Sequence, residues 1–330
     1  MKQFWRHLLL GTLCTLIAFG VAACVNSKPK GGGRSETEVE LPIRPVKRKP
    51  ALKGVDPPLD TFDQHTFDWK ALKDDLEEVS RQFDRSFFVE TYGPFIIASN
   101  LGRTRLDEIK EQTIRTSYNA FYKDFFHERP RRVIKIYLFK DRINYQRYSK
   151  KLFNELPNTP YGYYRSAERV MLMNIATGTG TLVHELVHAL IDTDFPTVPT
   201  WFNEGFASLF EYSRIEAGSI SGMSNWRYPI FKRAIDTNSV VKLRQLVETT
   251  NDEFYNDRDG YNYAEARYLC FYLQDKGLLK AFYQRFKQTH RDDPSGRRTL
   301  EEILKKDIDE IEREWLQWAN GLPIDRQRTS

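Results

Sequence analysis

The residues best equipped for chemistry in this chain are His184, Glu185 and His188. They lie in the run Thr181-Leu182-Val183-His184-Glu185-Leu186-Val187-His188-Ala189-Leu190-Ile191. Read as a helix, the spacing stacks the two imidazoles on one face, one turn apart, where both can grip one metal ion. Glu185 is one position round the helix from His184. Its carboxylate then stands beside the metal rather than on it, able to take a proton from water at the metal. Leu182, Val183, Leu186, Val187, Leu190 and Ile191 are apolar, so such a helix is buried nearly all round. Three titratable groups in it would cost about 2–7 kcal/mol each if left unpaired. A metal and a water-filled cleft remove that cost. Core histidines satisfied by backbone carbonyls are the alternative.

A third ligand stands close downstream. Pro199-Thr200-Trp201-Phe202-Asn203-Glu204-Gly205-Phe206-Ala207-Ser208-Leu209-Phe210 predicts a second apolar helix, started by Pro199 or Thr200, with Glu204 as its one carboxylate. Gly205 has no side chain, so this helix is expected to approach the first closely. Two imidazoles and a glutamate make the ligand set of a catalytic zinc site with its fourth position open. The imidazoles favour Zn2+ over calcium or magnesium. The alternative for Glu204 is an exposed helix carboxylate, against which stand its neighbours Phe202, Phe206, Leu209 and Phe210.

The pair of motifs, His184-Glu185-Leu186-Val187-His188 and then Trp201-Phe202-Asn203-Glu204-Gly205-Phe206-Ala207, resembles the gluzincin metallopeptidases, in particular a short-spaced, peptidase-MA-like group found in bacterial lipoproteins. The likeness extends from about residue 85 to about residue 320, and only these two motifs are specific. It implies a zincin-like α+β fold: an N-terminal mixed sheet with helices that include the metal helix, then a mainly helical C-terminal part. It also implies that the strand nearest the metal is a sheet edge to which an extended peptide adds by backbone hydrogen bonds. Arg169–Asn174 is the strand directly before the metal helix. The thermolysin-like pattern has an aspartate four residues after the glutamate ligand, orienting one histidine. Ser208 occupies that position here, which leaves Asp192 or Asp194 as candidates for the task. In related sequences a tyrosine at the start of a helix in the C-terminal region steadies the oxyanion. Tyr263 is the candidate, with Tyr261 behind it; a packing role is the alternative in a chain of 17 tyrosines.

The elements that must position these groups follow from periodicity. Helical apolar spacing covers Trp69 to Phe83, Leu106 to Phe126 and Asp141 to Phe153. Strands are expected within Phe87–Ser99, broken at Gly93-Pro94, and over Arg132–Phe139. The Gly-rich loop Thr177–Thr181 matches neither a P-loop nor a dinucleotide fingerprint and reads as a turn with Thr181 as N-cap. Beyond residue 196 the chain reads as mostly helical, with short candidates at Trp226–Ile235 and Lys242–Val247. Asp257–Gly260 lacks the spacing of a calcium loop and reads as a turn before a helix from Tyr263 to Gln274. Thr299-Leu300-Glu301-Glu302 is a capping-box pattern, and Asp307 with Glu310 is a second helix start. Ile308, Ile311, Trp315 and Trp318 line one face of the last helix. Of the other histidines, His7, His65 and His127 are remote from the motif, and His290 sits in a charged, surface-like stretch.

The N-terminus carries its own signals. Residues 1–23 have a basic start, Lys2 and Arg6, and a short apolar run, as in an export signal. Val21-Ala22-Ala23-Cys24 resembles the lipobox of bacterial lipoproteins, which implies lipidation at Cys24 and, since Val25 rather than aspartate follows, outer-membrane sorting. An ordinary signal peptide is the alternative. Residues 24–58, with Gly31-Gly32-Gly33 and six prolines, read as a tether. Residues 59–195 then form a first lobe with the metal helix, and residues 196–330 a second lobe with the third ligand. Eight Lys/Arg against three Glu in residues 24–53 give +5, and residues 1–23 add +2; taken from the chain's +5, this leaves −2 for the rest. The basic character thus belongs to signal and tether, which suits an anionic membrane surface or simple solvation and argues against nucleic-acid binding. Of three cysteines only Cys270 would remain as a free thiol, placed as a small core residue.

The expected function is a membrane-anchored, extracytoplasmic zinc metallopeptidase acting on peptide or protein substrates. His184, His188 and Glu204 hold one Zn2+, Glu185 is the general base, and Tyr263 steadies the oxyanion. A non-hydrolytic envelope scaffold with a structural zinc is the rival reading. A cell-wall amidase with the same zinc site is a third.

Overall fold

The computed structural model describes residues 67–257 and 260–323. The signal segment, Cys24, the tether, His7, His65 and the middle of the 257–260 turn lie outside the described residues.

The chain is mixed α+β. It opens with α1 (Trp69–Gln82), capped by Asp68, whose carboxylate accepts from the Ala71 amide. Strands β1 (Phe88–Tyr92) and β2 (Phe95–Ser99) form a hairpin across Gly93, where φ is +57°, a left-handed value that suits a residue without a Cβ. The single helix expected from Leu106 to Phe126 is three segments: α2 (Arg103–Ile109), a π-helical stretch over Lys110–Arg115, and α3 (Thr116–Asp124). The wider turn starts at Lys110 and Glu111, which are tied to Glu90 and Tyr92 of β1. Then come β3 (Ile134–Phe139) and α4 (Arg142–Phe153), the latter capped by Asp141. A short strand that periodicity did not reveal, β4 (Gly162–Arg165), precedes β5 (Val170–Asn174).

The sheet order is β1-β2-β3-β5-β4. β2, β3 and β5 run parallel, and β1 and β4 flank them antiparallel. This corrects one expectation. The strand directly before the metal helix is interior, paired on both sides. The free edge belongs to β4, which also packs on the metal helix. Alternation along the strands sends Ile97, Ile136, Leu138, Met171 and Met173 to one face, and Ile96, Ala98, Tyr137, Phe139 and Leu172 to the other. Helices α1 and α4 cover the second face. The first is covered by α5 (Gly180–Asp194), the helix that carries His184 and His188. Its N-cap is Thr179 rather than Thr181. Gly178 at φ +102° turns the chain just ahead of it, so the helix opens two residues earlier than the hydroxyl pattern suggested.

From α6 (Thr200–Phe210) onward the chain is mainly helical. The exception is a small hairpin of β6 (Ser213–Glu216) and β7 (Ser219–Gly222). There follow α7 (Tyr228–Asp236), α8 (Leu243–Glu248), α9 (Asn251–Tyr255), α10 (Tyr261–Asp275), α11 (Leu279–Thr289), α12 (Arg297–Leu304) and α13 (Ile308–Asn320). Gly205 does permit a close approach, but to α10 rather than α5: a Cβ there would stand 2.6 Å from the Ala266 carbonyl oxygen. The Thr299 pattern is not a cap either. Helix α12 starts at Gly296, and Thr299 lies inside it with its hydroxyl on Asp293. The capping box that forms is Thr250–Glu253, at the start of α9. Asp307 caps α13 as expected, through the Glu310 amide. Ile308, Ile311 and Trp315 are buried in one core that runs from Phe95 to Ala319, with Trp318 packed against it. Cys270 is buried in that core. His290 is half-buried between the rings of Phe195 and Phe286 rather than on the surface. No helix among the described residues is long and apolar enough to cross a membrane.

Candidate metal centre

Helix α5 is apolar all round because it lies between the sheet on one side and α6 on the other. The polar groups in its middle, His184 and Glu185, are therefore buried, on the side of α6. His184 and Glu185 are each 8% exposed, and Glu204, opposite them on α6, is 3% exposed. The sequence-derived trio does converge. His184 Nε2 and His188 Nε2 are 2.9 Å apart, and Glu204 Oε2 lies 3.3 Å and 3.6 Å from them. Tetrahedral ligands about 2.0–2.1 Å from a zinc ion stand about 3.3 Å from one another, so these separations bracket the value a shared ion requires. Glu204 Oε2 is buried with no hydrogen bond, while its Oε1 accepts from the Tyr255 hydroxyl at 2.8 Å. An orphaned, buried carboxylate oxygen facing two imidazole nitrogens is costly unless a cation joins them. The buried cluster could thus hold a metal ion.

The outer nitrogens of the imidazoles are held as well. His188 Nδ1 is 2.9 Å from Asn203 Oδ1, and His184 Nδ1 is 3.0 Å from Glu211 Oε1. The hydrogen bond to Asn203 and the nearby Glu211 carboxylate both favour a proton on Nδ1, which would leave each Nε2 lone pair free to ligate. Glu211 is itself clamped by Arg227, through Nη2 to Oε1 at 2.9 Å and Nε to Oε2 at 3.3 Å. The guanidinium lies over two aromatic rings, with the Trp226 centroid at 4.1 Å and the Tyr263 centroid at 5.3 Å from its centre.

These partners replace the expected ones. Neither Asp192 nor Asp194 orients a histidine. Asp194 lies beyond the last turn of the metal site and accepts from the backbone amides of His127 and Glu128 and from Tyr283. Asp192 faces Tyr164. Asn203, Glu211, Arg227 and Tyr255 went unrecognised in the sequence. Asn203 adjoins Glu204, and Glu211 follows it by two turns of helix, so local spacing held a signal for those two. Arg227 and Tyr255 come from other elements and left none.

The electrostatics agree with a cation site. Burial works against charge on Glu204 and Glu211, yet the histidines beside Glu204, and Arg227 with His184 beside Glu211, hold both well below the usual carboxylate range. Burial alone would lower the pKa of His184, but Glu204 and Glu211 carry it upward, so the cluster favours positive charge. Glu185 behaves differently. Burial raises its pKa, and among the described residues no side chain hydrogen-bonds or ion-pairs with it. It is a carboxyl beside the cluster with its oxygens uncommitted, as a general base requires. Tyr263 opens into the same region. Its ring packs on Phe254 and Tyr255, and burial, with Glu204 next, pushes its hydroxyl well above the ordinary range, which keeps it a proton donor.

No protein-family model matches the chain, and no curated protein matches it.

Proposed function

We propose that this chain is a zinc metallopeptidase of gluzincin type, anchored at the cell envelope through a lipidated Cys24. The observation that carries the reading is the pairing of a convergent His184–His188–Glu204 cluster with a buried, uncommitted Glu185 beside it. The donor set of two imidazoles and one carboxylate suits zinc better than calcium or magnesium. A zinc ion held there would acidify a water molecule and polarise a substrate carbonyl.

Every other role falls to the chain. Glu185 takes the proton from the water and returns it to the leaving amine. Its raised pKa suits both halves of that task. Tyr263 donates its hydroxyl hydrogen to the developing oxyanion. The free edge of β4, beside the metal helix, offers unpaired backbone groups along which an extended peptide can lie. An antiparallel edge strand, a metal helix beneath it and a glutamate-bearing helix behind together support a zincin-like architecture. The run that ends at Cys24 supports an address on the outer side of a membrane.

The test measures bound zinc in wild type and Glu185→Gln and incubates both with a mixed peptide library read by mass spectrometry. One equivalent of zinc in each, with cleavage by wild type alone, is the expected result. Zinc in both with cleavage by neither would favour a scaffold or a non-peptide amide substrate. Absence of zinc from both would end the proposal.

A further inference from the structure

At the far end of α5 a cleft of about 290 Å³ is lined by Glu128, Arg131, Arg132, Arg169, Asp192 and Thr193. Three guanidinium groups here face two carboxylates, so the cleft is net positive. The bulk of the chain, residues 54–330, is net −2 by sequence, so this is a local concentration of positive charge against the general balance. Among the described residues no ion pair engages Arg131, Arg132 or Arg169, whereas Arg103, Arg165, Arg227, Arg285 and Arg297 each have a carboxylate partner. Arg169 is fixed in place. Its Nε donates to the Val133 carbonyl and its Nη2 to the Arg132 carbonyl, which leaves Nη1 uncommitted. Behind Asp192 stands the Tyr164 hydroxyl, in a side chain 5% exposed, buried without a well-formed hydrogen bond.

The location matters as much as the charge. Asp192 follows Glu185 by seven residues, two turns on the same face of α5, or about 10 Å along the axis. Tyr164, next to Asp192, lies near the end of β4, the free edge strand. An extended peptide advances about 3.4 Å per residue, so roughly three residues span the same 10 Å. We infer that this arginine cleft binds a carboxylate of the substrate peptide, from an acidic side chain or the chain terminus, about three residues from the bond that is cut. The inference rests on the peptidase reading for its geometry. The cleft's affinity for a carboxylate can be measured whether or not the chain cleaves.

The experiment uses the full chain in detergent. A single glutamate is walked along an otherwise neutral, C-terminally amidated peptide. Binding to the zinc-loaded Glu185→Gln chain is read by fluorescence anisotropy, and cleavage by wild type is read by mass spectrometry. Glutamate at one position should tighten binding roughly tenfold, an effect that shrinks as salt rises from about 50 to about 500 mM. Arg131→Gln with Arg132→Gln should abolish that gain and leave the neutral peptide's binding and the melting temperature unchanged, because both side chains are exposed. A free C-terminal carboxylate that substitutes for the glutamate identifies the chain terminus as the source. An acidic preference that is absent, or that survives in the double variant, overturns the inference. Cleavage without acidic preference overturns it and leaves the peptidase reading standing. Acidic binding at the arginines without cleavage upholds the carboxylate site, and overturns both its stated distance from a cut bond and the peptidase reading. Binding of no peptide at all overturns both.

Discussion

Helix α5 carries two buried polar clusters, and they are built on opposite principles. At its C-terminal end Asp194 has every oxygen in use. Oδ1 accepts from the amides of His127 and Glu128, each at 2.7 Å, and meets Lys287 at 3.0 Å, while Oδ2 accepts from Tyr283 at 2.7 Å. Those partners come from the loop before β3 and from α11, so the carboxylate ties the sheet layer to the helical part. In the middle of the same helix, His184 and His188 face Glu204 with an oxygen left over, and among the described residues no side chain hydrogen-bonds or ion-pairs with Glu185. A satisfied buried network is a clamp. An unsatisfied one, with outer partners such as Asn203 and Glu211, is a donor set that a cation could complete.

That contrast can be broken most directly at Glu185. Glu185→Gln should keep full metal occupancy and lower peptide turnover by about 10²–10⁴-fold, measured as kcat with zinc content read in parallel. His188→Ala should lose both. Next in size is the clamp. Asp194→Ala should cost about 3 kcal/mol in chemical denaturation, because it strands two amides, a phenol and an ammonium, while the variant that remains folded binds metal as before. A loss of metal without loss of stability would erase the distinction between the two clusters. Glu211→Gln is smaller. It retains an acceptor but removes the charge that Arg227 holds beside His184, and zinc affinity in a chelator competition should fall about 10–100-fold.

A buried carboxyl outside both clusters sharpens the comparison. Glu265 on α10 is half satisfied: Oε1 accepts from the Val241 amide at 3.2 Å and Oε2 has no partner. Burial pushes its pKa up to about 8. With no cation to stabilise it, this group folds in its protonated form. The native state then binds more protons than the unfolded chain above the ordinary glutamate range. Stability on this account falls as pH rises from about 4.5 to about 8, and it levels off once the native carboxyl also ionises. Glu265→Gln should flatten that part of the curve, by at most about 5 kcal/mol over the whole range, in denaturant melts taken across it.

How much of this was legible beforehand differs by element. The metal trio was readable because its spacing is a local property of helices: four residues put His184 and His188 on one face whatever surrounds them. The same holds for Asp307 as a cap, and for strands β2, β3 and β5, whose apolar runs are nearly unbroken. Strand β4 was missed because Gly162–Arg165 is four residues long, with no apolar run to mark it, and gains its status only by pairing with β5. The capping pattern at Thr299 failed because Asp293 competes for the same hydroxyl and amide, and the helix starts earlier. Gly205 was read correctly as a close contact but assigned to the wrong neighbour, since a glycine reports that something approaches and not what.

The sequence by itself determined the donor set, the helices that carry it and the buried character of both, because these depend on residue type and on a period of 3.6. Only the tertiary structure decided which groups orient the imidazoles. Glu211 reaches His184 and Arg227 reaches Glu211 through the packing of separate elements, and sequence distance carries no information about such contacts. The tertiary structure likewise decided which strand presents a free edge, because strand order in a sheet is set by how β4 and β5 pair and not by the order of the strands along the chain.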